Sequence, residues 1–599
     1  MSINLEIDYN KLNIDDCFKN HYVVPDYQRE YVWEETQVEQ LISDIEGAYE
    51  TNSEKPYFLG MTVVYNGGAT LELIDGQQRI TTFFIVLCAL INIYKDNKSA
   101  ASIFSSRIYS PVMLDDGEEK EGFSLELQYP SSSECLGNIF HGIVPSDVEF
   151  EKLSISDRRL YRAYIDIRKQ LLDHYPDFLD LKKFASYFFK KVQFVQIEAK
   201  DISDALKIFE TINQRGVGLN SMDLLKNMIF MQVSRDDFPS LNIQWKEIID
   251  KIAEVNEKPL RFLRYYITAT YDISDDAGNI KGILPEDKIY KWLMDNDKQC
   301  SYRKNPFGFV GALKDGLNRY ISFLQPSPVE AGNEYLRNIT RIAGSSYKSH
   351  LVLLLAASRM EEDTFAYFKR ILESVIYYST INHIKGNETE KIFAAWCPLI
   401  RQVVNNDDLN VLLSETIIPQ VEKWKIEKNH KNNFMSLNLN NIQLYRIRFV
   451  LSRITKYVDD VRGGGKNFAD VDKCYDSIYQ IEHIMPQSCD DYSAYSITEE
   501  DFPTYVNKLG NLSLLEKVFN AACQNNSYEN KCKIYPQSCF YLTSSLPSLE
   551  DVGKNTSANA LNKKLLSWSH WNATSIEERQ EMLYRLSEEI WDLNSISFM

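Results

Sequence analysis

The sequence predicts a mostly helical α+β protein that is divided into several domains. Its 599 residues indicate about three or four domains. Segments with the apolar and polar alternation of strands occur in the first 200 residues and again after residue 475. Between them, residues 233–460 form successive amphipathic helical patterns without a repeat of fixed period. We therefore expect an α/β domain first, an α-helical middle, and a small strand–strand–helix domain last.

The composition is that of a globular protein with an acidic balance. The 66 Lys and Arg residues stand against 84 Asp and Glu residues, a formal net charge of -18. This charge argues against non-specific nucleic-acid binding over a broad surface, although a local basic groove would suffice for DNA. The sequence contains no signal peptide, no apolar run of about 18 residues and no CxxC pair among its ten cysteines. We expect a cytoplasmic protein with reduced thiols and no membrane partner.

The strongest catalytic candidate is the stretch around His483. Only eight histidines occur in the chain, and this one directly follows the carboxylate of Glu482. The segment after it is rich in asparagine, and Asn511 is followed nine residues later by Asn520. A neutral imidazole beside hard oxygen ligands suits metal-assisted phosphodiester cleavage. A satisfied structural histidine is the alternative interpretation of an isolated Glu–His pair.

The pattern around these residues predicts two strands and a helix. Residues 479–483 form the first predicted strand, and Pro486 ends it. Residues 507–515 predict a turn that leads into the second strand, and a helix starts at residue 517. The histidine would therefore lie on the first strand of a strand–strand–helix unit.

A second candidate site lies where a predicted hairpin runs into a helix. Residues 57–65 and 70–74 predict two strands, and residues 81–94 predict the helix. The connecting residues are Asp75-Gly76-Gln77-Gln78-Arg79. A helix N-terminus attracts phosphate, Gly76 would let the backbone approach closely, and Arg79 would add a two-pronged donor. A purely structural turn is the alternative. Residues 1–20 predict a short helix that leads into this region.

A third segment runs from Phe209 to Gly216 and precedes a helix that Ser221 would cap. Arg215 could close on a phosphate from the side opposite Arg79. The alternative is a helix that ends at a glycine and is followed by a capped helix.

The N-terminal motifs together resemble those of the GmrSD-type restriction proteins. The residues that carry the resemblance are Pro25–Arg29, Trp33, Gln37, Phe58–Gly60, Ile74–Thr82, Phe209–Gly216, Asp223 and Lys226. The family's N-terminal domain resembles the ParB and sulfiredoxin nucleotide-binding fold. The resemblance implies a pocket that binds and hydrolyses an NTP and is linked to the sensing of modified DNA. The implied nucleotide contacts are Gln28, Arg29, Asp75, Gly76, Gln77, Gln78, Arg79, Thr81, Asn213 and Arg215.

The C-terminal motifs resemble the HNH nucleases and, more closely, the C-terminal domain of the same family. The residues that carry this resemblance are Glu482–Ser488, Asn507–Leu512, Leu515, Asn520, Asn526 and Lys531, with tail residues Trp568, Trp571, Ile576, Arg579, Leu583 and Trp591. The resemblance implies a ββα-metal fold in which His483 is the general base. Asn511 would orient the histidine loop and Lys531 could contact a phosphate, while Glu482 and Asn520 would bind Mg²⁺ or another divalent cation. Two departures stand out: Asn replaces His at the last HNH position, and Glu replaces the leading Asp, which puts the ligand role of Glu482 in doubt.

A basic segment precedes the presumed nuclease region. Residues 421–468 contain ten Lys or Arg against four Asp or Glu, whereas residues 466–599 contain eleven against nineteen. Arg446, Arg448 and Arg453, with Tyr445 and Phe449, could line a DNA backbone. A solvated helical face is the alternative.

These observations predict three domains. They are a ParB-like NTPase domain over residues 1–230, an α-helical middle over 231–462 and an HNH-like nuclease domain over 466–599. The predicted function is an NTP-regulated, modification-dependent DNA endonuclease of a prokaryotic anti-phage restriction system. Its expected partners are DNA and a nucleotide, and a homo-oligomer is left open. The alternative is a non-cleaving, NTP-dependent regulator whose HNH-like fold only binds nucleic acid.

Overall fold

A computed structural model describes residues 7–595 apart from short gaps. These are 27, 67–69, 111, 114–118, 121, 130, 201–203, 206–207, 209–220, 274–281, 466–467, 490 and 554–555. Asn213 and Arg215, two predicted nucleotide contacts, lie outside the described residues. The described chain is mostly helical with small sheets, which confirms the mostly helical α+β class. The ParB-like and HNH assignments, and the three-domain division, stay predictions.

The chain forms two compact units. The first contains Met1–Lys251 and Tyr290–Gly311, and the second contains Ile252–Ile289 and Ala312–Met599. Residues of the predicted helical middle and of the predicted nuclease domain thus share the second unit. Among the described helices, none combines the length and the apolarity that crossing a lipid bilayer requires.

The described strands fall into one larger sheet and two strand pairs. They are β1 (Ile7–Asn13), β2 (Tyr22–Val24), β3 (Tyr57–Asn66), β4 (Leu71–Asp75), β5 (Val112–Met113), β6 (Glu119–Lys120), β7 (Leu125–Leu127), β8 (Val192–Ala199), β9 (Tyr479–His483) and β10 (Leu512–Glu516). The larger sheet has the order β1-β8-β3-β4-β2-β7. Strands β3 and β4 are antiparallel, as the predicted hairpin requires, whereas β3 and β8 are parallel.

In the sequence, the helices of the first half of the chain lie between and after the strands of the larger sheet. They are α1 (Ile14–Cys17), α2 (Glu35–Thr51), α3 (Gln77–Ile93), α4 (Lys98–Ile108), α5 (Ser132–Phe140), α6 (Asp147–Phe150), α7 (Ile155–His174), α8 (Phe178–Lys191), α9 (Ser221–Phe230), α10 (Phe238–Glu254), α11 (Pro259–Thr270), α12 (Ile289–Asp295) and α13 (Asp297–Cys300). Helix α3 is the centre of the first unit's core, because every residue from Ile80 to Leu90 is buried. A helix that is apolar all round needs neighbours on every side, and α4, α5 and α7 pack against it.

The second half of the chain is helical until β9. Its helices are α14 (Pro306–Leu324), α15 (Asn333–Ala343), α16 (Leu351–Ala356), α17 (Glu362–Ile381), α18 (Gly386–Ile400), α19 (Asn406–Leu412), α20 (Ile418–Glu427), α21 (His430–Met435), α22 (Leu444–Arg462), α23 (Phe502–Val506), α24 (Lys517–Cys523), α25 (Tyr528–Lys531), α26 (Tyr541–Ser544), α27 (Ser557–Asn562) and α28 (Ala573–Trp591). Leu413–Ile417 forms a π-helical turn that joins α19 to α20.

The predicted lead-in helix over residues 1–20 is wrong for most of its described length. Residues Ile7–Asn13 form β1, which pairs antiparallel with β8 along its whole length, and only Ile14–Cys17 is helical. Asn13 caps that short helix through its side chain, which accepts from the Asp16 amide. Pairing with β8 therefore overrides the local preference of this segment.

The turn between β4 and α3 requires glycine. Gly76 has φ of +89°, and a Cβ built on it would lie 2.5 Å from Thr62 Cγ2. We predict that Gly76→Ala lowers the free energy of unfolding by at least ~1–3 kcal/mol, the usual cost of such backbone strain. Urea denaturation would measure this change.

Gly47 in α2 is the matched control, because a Cβ there meets no atom within 4 Å. Gly47→Ala should stabilise the fold by about 0.5–1 kcal/mol through helix propensity. Equal effects of the two substitutions would contradict the close packing at Gly76.

Candidate functional site

In the first unit, the predicted Asp75–Arg79 turn joins strand β4 to the buried helix α3. The side chains of Gln77, Gln78 and Thr81 are buried in this first helical turn. Burial raises the pKa of Asp75, and this effect is opposed by Arg79, by the Gly76 amide and by Arg29. Two arginines from two separate predicted segments thus favour the charged form of Asp75 against the effect of burial.

The two prongs of Arg79 bind the neighbouring strand. Nη1 donates to the carbonyl of Leu59 and Nη2 donates to that of Met61, each at 2.6 Å. These carbonyls flank Gly60, where β3 shifts register against β8 and φ is +93°. Burial lowers the pKa of Arg79, while Asp75 opposes that shift. The side chain is therefore fixed at the turn by a β-bulge rather than extended freely into solvent.

Gln78 ties a second predicted segment to this turn. Its Oε1 accepts from the Val32 amide at 2.8 Å, and its Nε2 donates to the Glu30 carbonyl at 3.0 Å. These two bonds hold the backbone that follows Gln28 and Arg29. The structure thus brings the Gln28–Arg29 segment and the Asp75–Arg79 turn together.

Two buried polar atoms near this turn have no hydrogen-bond partner among the described residues. They are Nε2 of Gln28, whose side chain is 7% exposed, and Oγ1 of Thr62, which is 2% exposed. A buried donor without a partner costs free energy, so such atoms often mark a ligand or an ordered water. Thr62 was not among the predicted site residues. Its sequence signal was a polar residue inside the apolar run of β3.

In the second unit, β9 and β10 form an antiparallel pair that leads into α24. His483 is opposite Leu512, and Glu482 is opposite Ser513. The helix begins at Lys517, directly after β10. The predicted order of strand, strand and helix is therefore present, with the histidine as the last residue of the first strand.

Glu482 forms a buried ion pair. Its Oε1 accepts from Lys531 Nζ at 2.7 Å and from the hydroxyl of Tyr535 at 3.0 Å. The Glu482 residue is only 3% exposed, and the Lys531 side chain is fully buried. Burial raises the pKa of Glu482, and Lys531 and Tyr535 oppose this shift. Tyr535 was not predicted from the sequence.

Lys531 also holds the backbone of the catalytic candidate. Its Nζ donates to the carbonyl of His483 at 2.5 Å. Burial and then the Lys531 charge lower the pKa of His483, a hydrogen bond with Asn507 opposes them, and the net pKa is about 4. The imidazole is consequently neutral at neutral pH. A phosphate contact of Lys531 stays a prediction, and in this structure its ammonium lies inside the fold.

Asn511 is fully buried and binds the loop after the histidine. Its Oδ1 accepts from the Met485 amide at 2.7 Å and from Trp571 Nε1 at 2.9 Å. Its Nδ2 donates to the carbonyls of Met485 and Val506. Every polar atom of this side chain is therefore used to fix residue 485 against the rest of the unit.

Asn520 of α24 faces β9. Its Nδ2 donates to Gln480 Oε1 at 2.9 Å. A divalent cation would need hard oxygen donors, but the carboxylate oxygen of Glu482 is already bonded to a lysine ammonium. Within the described ranges, no group of three or more His, Cys, Asp or Glu is arranged to hold a metal ion. As they stand, the predicted ligands do not fit a cation as a set, and Mg²⁺ stays a prediction.

The predicted DNA-lining role of the basic segment is wrong for its most buried members. Phe449 is buried, and Arg453 is buried with Nε 2.8 Å from Glu373 Oε1. Arg446 Nε donates to the Ile342 carbonyl. Other members pair with acidic residues of α28, as Lys431 does with Glu581. Much of the basic segment therefore neutralises acidic groups inside its own unit.

Comparison with protein-family models gives two matches. Residues 10–230 match the model described as "GmrSD restriction endonuclease, N-terminal domain". Residues 424–586 match the model described as "GmrSD restriction endonucleases, C-terminal domain". Together the matches cover well over half of the chain. A search of curated proteins finds no match.

The role of Lys531 in the structure is testable. We predict that Lys531→Met lowers the free energy of unfolding by about 3–5 kcal/mol, because it leaves the Glu482 carboxylate buried and unpaired. Adding Glu482→Gln should recover part of that loss. Chemical denaturation of the single and double variants measures both changes.

Lys533→Met removes the same charge from an exposed lysine and should change stability by less than about 0.5 kcal/mol. Unchanged stability of Lys531→Met together with weaker DNA binding would instead identify Lys531 as a phosphate contact.

Proposed function

The chain belongs to the GmrSD restriction endonuclease family, and we propose that it cuts DNA at His483 under the control of a nucleotide bound at the Asp75–Arg79 turn. As a restriction endonuclease it acts on DNA. The proposal adds an HNH type of cleavage, NTP hydrolysis, dependence on DNA modification and a role against phage in the cytoplasm.

The observation that carries the proposal is that the His483 imidazole is unprotonated at neutral pH. A general base must be neutral before it accepts a proton. Burial and the Lys531 charge keep this imidazole neutral through the physiological range. Lys531 binds the carbonyl of residue 483 and Asn511 binds the amide of residue 485, so the backbone that carries the ring is held at and after the histidine. This arrangement supports removal of a proton from water as it attacks a phosphodiester.

The residues around His483 divide into two roles. His483 is the proposed catalytic residue. Asn511, Lys531, Glu482 and Tyr535 are positioning residues, because each acts through the strand or the loop that carries the histidine. Asn520 is the proposed ligand of a divalent cation, which would stabilise negative charge on the phosphate when bound. Glu482 would join it only by leaving Lys531.

The proposed nucleotide site has separate support. The N-terminus of α3 offers unsatisfied backbone amides, and the 17-residue helix adds its dipole. Gln28 Nε2 and Thr62 Oγ1 supply two buried polar atoms that have no partner in the described chain. A polar ligand would satisfy them. Asp75 beside Arg29 and Arg79 provides charges that could contact phosphates and their counterions.

A non-cleaving, NTP-dependent regulator is the second candidate function. The ion pair between Glu482 and Lys531 favours this candidate, because a carboxylate neutralised by lysine is a poor cation ligand. The two candidates differ in one respect: only the nuclease needs the imidazole of His483 for protection against phage.

We predict that His483→Ala reduces DNA cleavage by at least about 10²–10⁴-fold, the usual contribution of general acid–base catalysis. Plasmid or phage DNA cleavage by the purified protein with Mg²⁺ and nucleotide is the measurement. His570→Ala is the matched control, since this histidine is exposed in the same unit. If the wild type cuts no DNA and His483→Ala still protects cells from phage, the regulator is correct.

The pH profile of the same reaction is a further readout. The pKa of His483 is about 4, whereas the usual pKa of a histidine is 6.5. The imidazole therefore stays unprotonated until the pH falls close to 4. The acid limb of kcat/KM should therefore lie near pH 4, and an acid limb near 6.5 would contradict the buried environment.

We predict that Thr62→Val weakens nucleotide binding by about 3- to 10-fold, which is the loss of one hydrogen bond. Stability should be retained, because the hydroxyl has no partner in the described structure. Calorimetric titration with nucleotides measures the affinity. Gln28→Leu should act in the same direction.

Thr364→Val is the control, because this buried hydroxyl also lacks a partner but belongs to the second unit. It should leave nucleotide affinity unchanged. Unchanged affinity in Thr62→Val and Gln28→Leu as well would remove both atoms from the nucleotide site.

A further inference from the structure

Two arginines of the second unit lie over the ring of Tyr475, and a third pairs with the neighbouring Asp472. The Cζ atom of Arg341, on α15, lies 4.2 Å from the ring centroid. The Cζ atom of Arg448, on α22, lies 5.1 Å from it. Arg337 is one turn before Arg341 on α15 and pairs with Asp472, three residues before Tyr475. Two helices and the Asp472–Tyr475 turn thus concentrate positive charge at one point.

A single carboxylate receives the ion pairs that the described residues make in this cluster. Asp472 Oδ1 lies 2.6 Å from Arg341 Nη2, and Asp472 Oδ2 lies 3.4 Å from Arg337 Nη2. Arg448 Nη2 donates to the backbone carbonyls of Cys474 and Tyr479. The three guanidinium groups thus share one paired carboxylate among the described residues, and the nearby Asp470 carboxylate accepts from the Asp472 amide at 3.0 Å.

Several guanidinium nitrogens of the cluster are buried without a hydrogen-bond partner in the described chain. They are Nε and Nη1 of Arg337, Nη1 of Arg341 and Nε of Arg448. Leaving donors of a charged group unbonded costs more than leaving neutral ones unbonded. An anion with several oxygen atoms would remove part of that cost. Phosphate is the anion whose oxygens match the planar fork of arginine.

Asp472 occupies the position that such an anion would take. Its side chain is 45% exposed, whereas those of Arg337 and Arg341 are each 20% exposed. Its two oxygens already bridge the two arginines, as two oxygens of a phosphate would. The carboxylate therefore lies at the surface of the cluster, where a phosphate from solvent could displace it.

The cluster is linked directly to the strand that carries His483. Arg448 Nη2 donates to the carbonyl of Tyr479 at 3.2 Å, and Tyr479 is the first residue of β9. At ~3.3 Å per residue, the strand places His483 roughly 13 Å from that carbonyl.

We propose that Arg337 and Arg341 bind a backbone phosphate of the DNA that is cut at His483, and that Asp472 occupies this phosphate position until DNA binds. Arg448 adds the third positive charge and ties the phosphate site to β9. This inference rests on the proposed function, because it places the cut at His483. It also explains how an acidic chain holds DNA, since a few concentrated cations replace a broad basic surface.

The test measures DNA binding in the His483→Ala protein, so that the DNA stays intact. Fluorescence anisotropy of a labelled duplex at several salt concentrations gives the affinity and its salt dependence. The double substitution Arg337→Gln/Arg341→Gln should raise Kd at least tenfold. It should also reduce the slope of log K against log salt by about one for the lost phosphate. Arg462→Gln is the control, because this arginine has Glu550 as its own carboxylate partner, whereas Arg337 and Arg341 share Asp472, and its loss should change neither quantity.

Asp472→Asn gives the sharper result. If Asp472 competes with a phosphate, removing its charge should tighten DNA binding several-fold. A merely structural ion pair predicts weaker or unchanged binding, and a misfolded variant also could not bind DNA more tightly. Thermal unfolding of each variant verifies that the fold is kept.

The outcomes separate this inference from the proposed function. An unchanged salt slope in the double variant, weaker or unchanged binding by Asp472→Asn, or no DNA binding at all overturns the phosphate site. Loss of binding through the arginines with no cleavage by the wild type overturns only the proposed function. Inorganic phosphate that raises the Tm of the wild type but not of the double variant, with an unchanged DNA slope, assigns the cluster to free phosphate and overturns the DNA contact.

Discussion

The proposed cleavage centre depends on the buried ion pair between Lys531 and Glu482. A buried charge is tolerated only with a partner, so each of these residues fixes the other. Because Lys531 also bonds to the His483 carbonyl, the pair locks α25 to the end of β9. Burial is the main cause of the low pKa of the His483 imidazole, and the same ammonium lowers that pKa further. One interaction thus fixes the position of the histidine and favours its neutral state.

Ion pairs between the basic segment and the acidic C-terminal portion are a second feature of this unit. Its C-terminal portion is acidic, and the basic segment before it supplies many of the compensating charges. The buried Glu373 carboxylate accepts from both Arg453 and Trp591, which joins helices α17, α22 and α28. Charge used in this way is not available to DNA. For DNA binding, the two arginines that share one carboxylate, Arg337 and Arg341, therefore matter more than the total number of basic residues.

Sequence patterns predict the elements with strong local signals and miss contacts that depend on the folded chain. The β3–β4 hairpin, helix α3 and the strand–strand–helix order around His483 follow from periodicity and turn residues. The burial of Lys531 does not, because lysine is normally exposed and its partner lies 49 residues earlier. Strand β1 was missed because its pairing partner, β8, comes almost two hundred residues later. That the hydroxyl of Thr62 has no partner among the described residues likewise becomes visible only once its neighbours are known.

The central claim is that a nucleotide bound in the first unit controls cutting by the second. The most direct measurement is cleavage by the wild type of phage DNA that carries base modifications and of the same DNA without them, each with and without NTP. We predict cutting of the modified DNA that requires nucleotide and is accompanied by NTP hydrolysis. Equal cutting of both DNAs in the absence of nucleotide would contradict the claim, and would leave His483 as the centre of an unregulated nuclease.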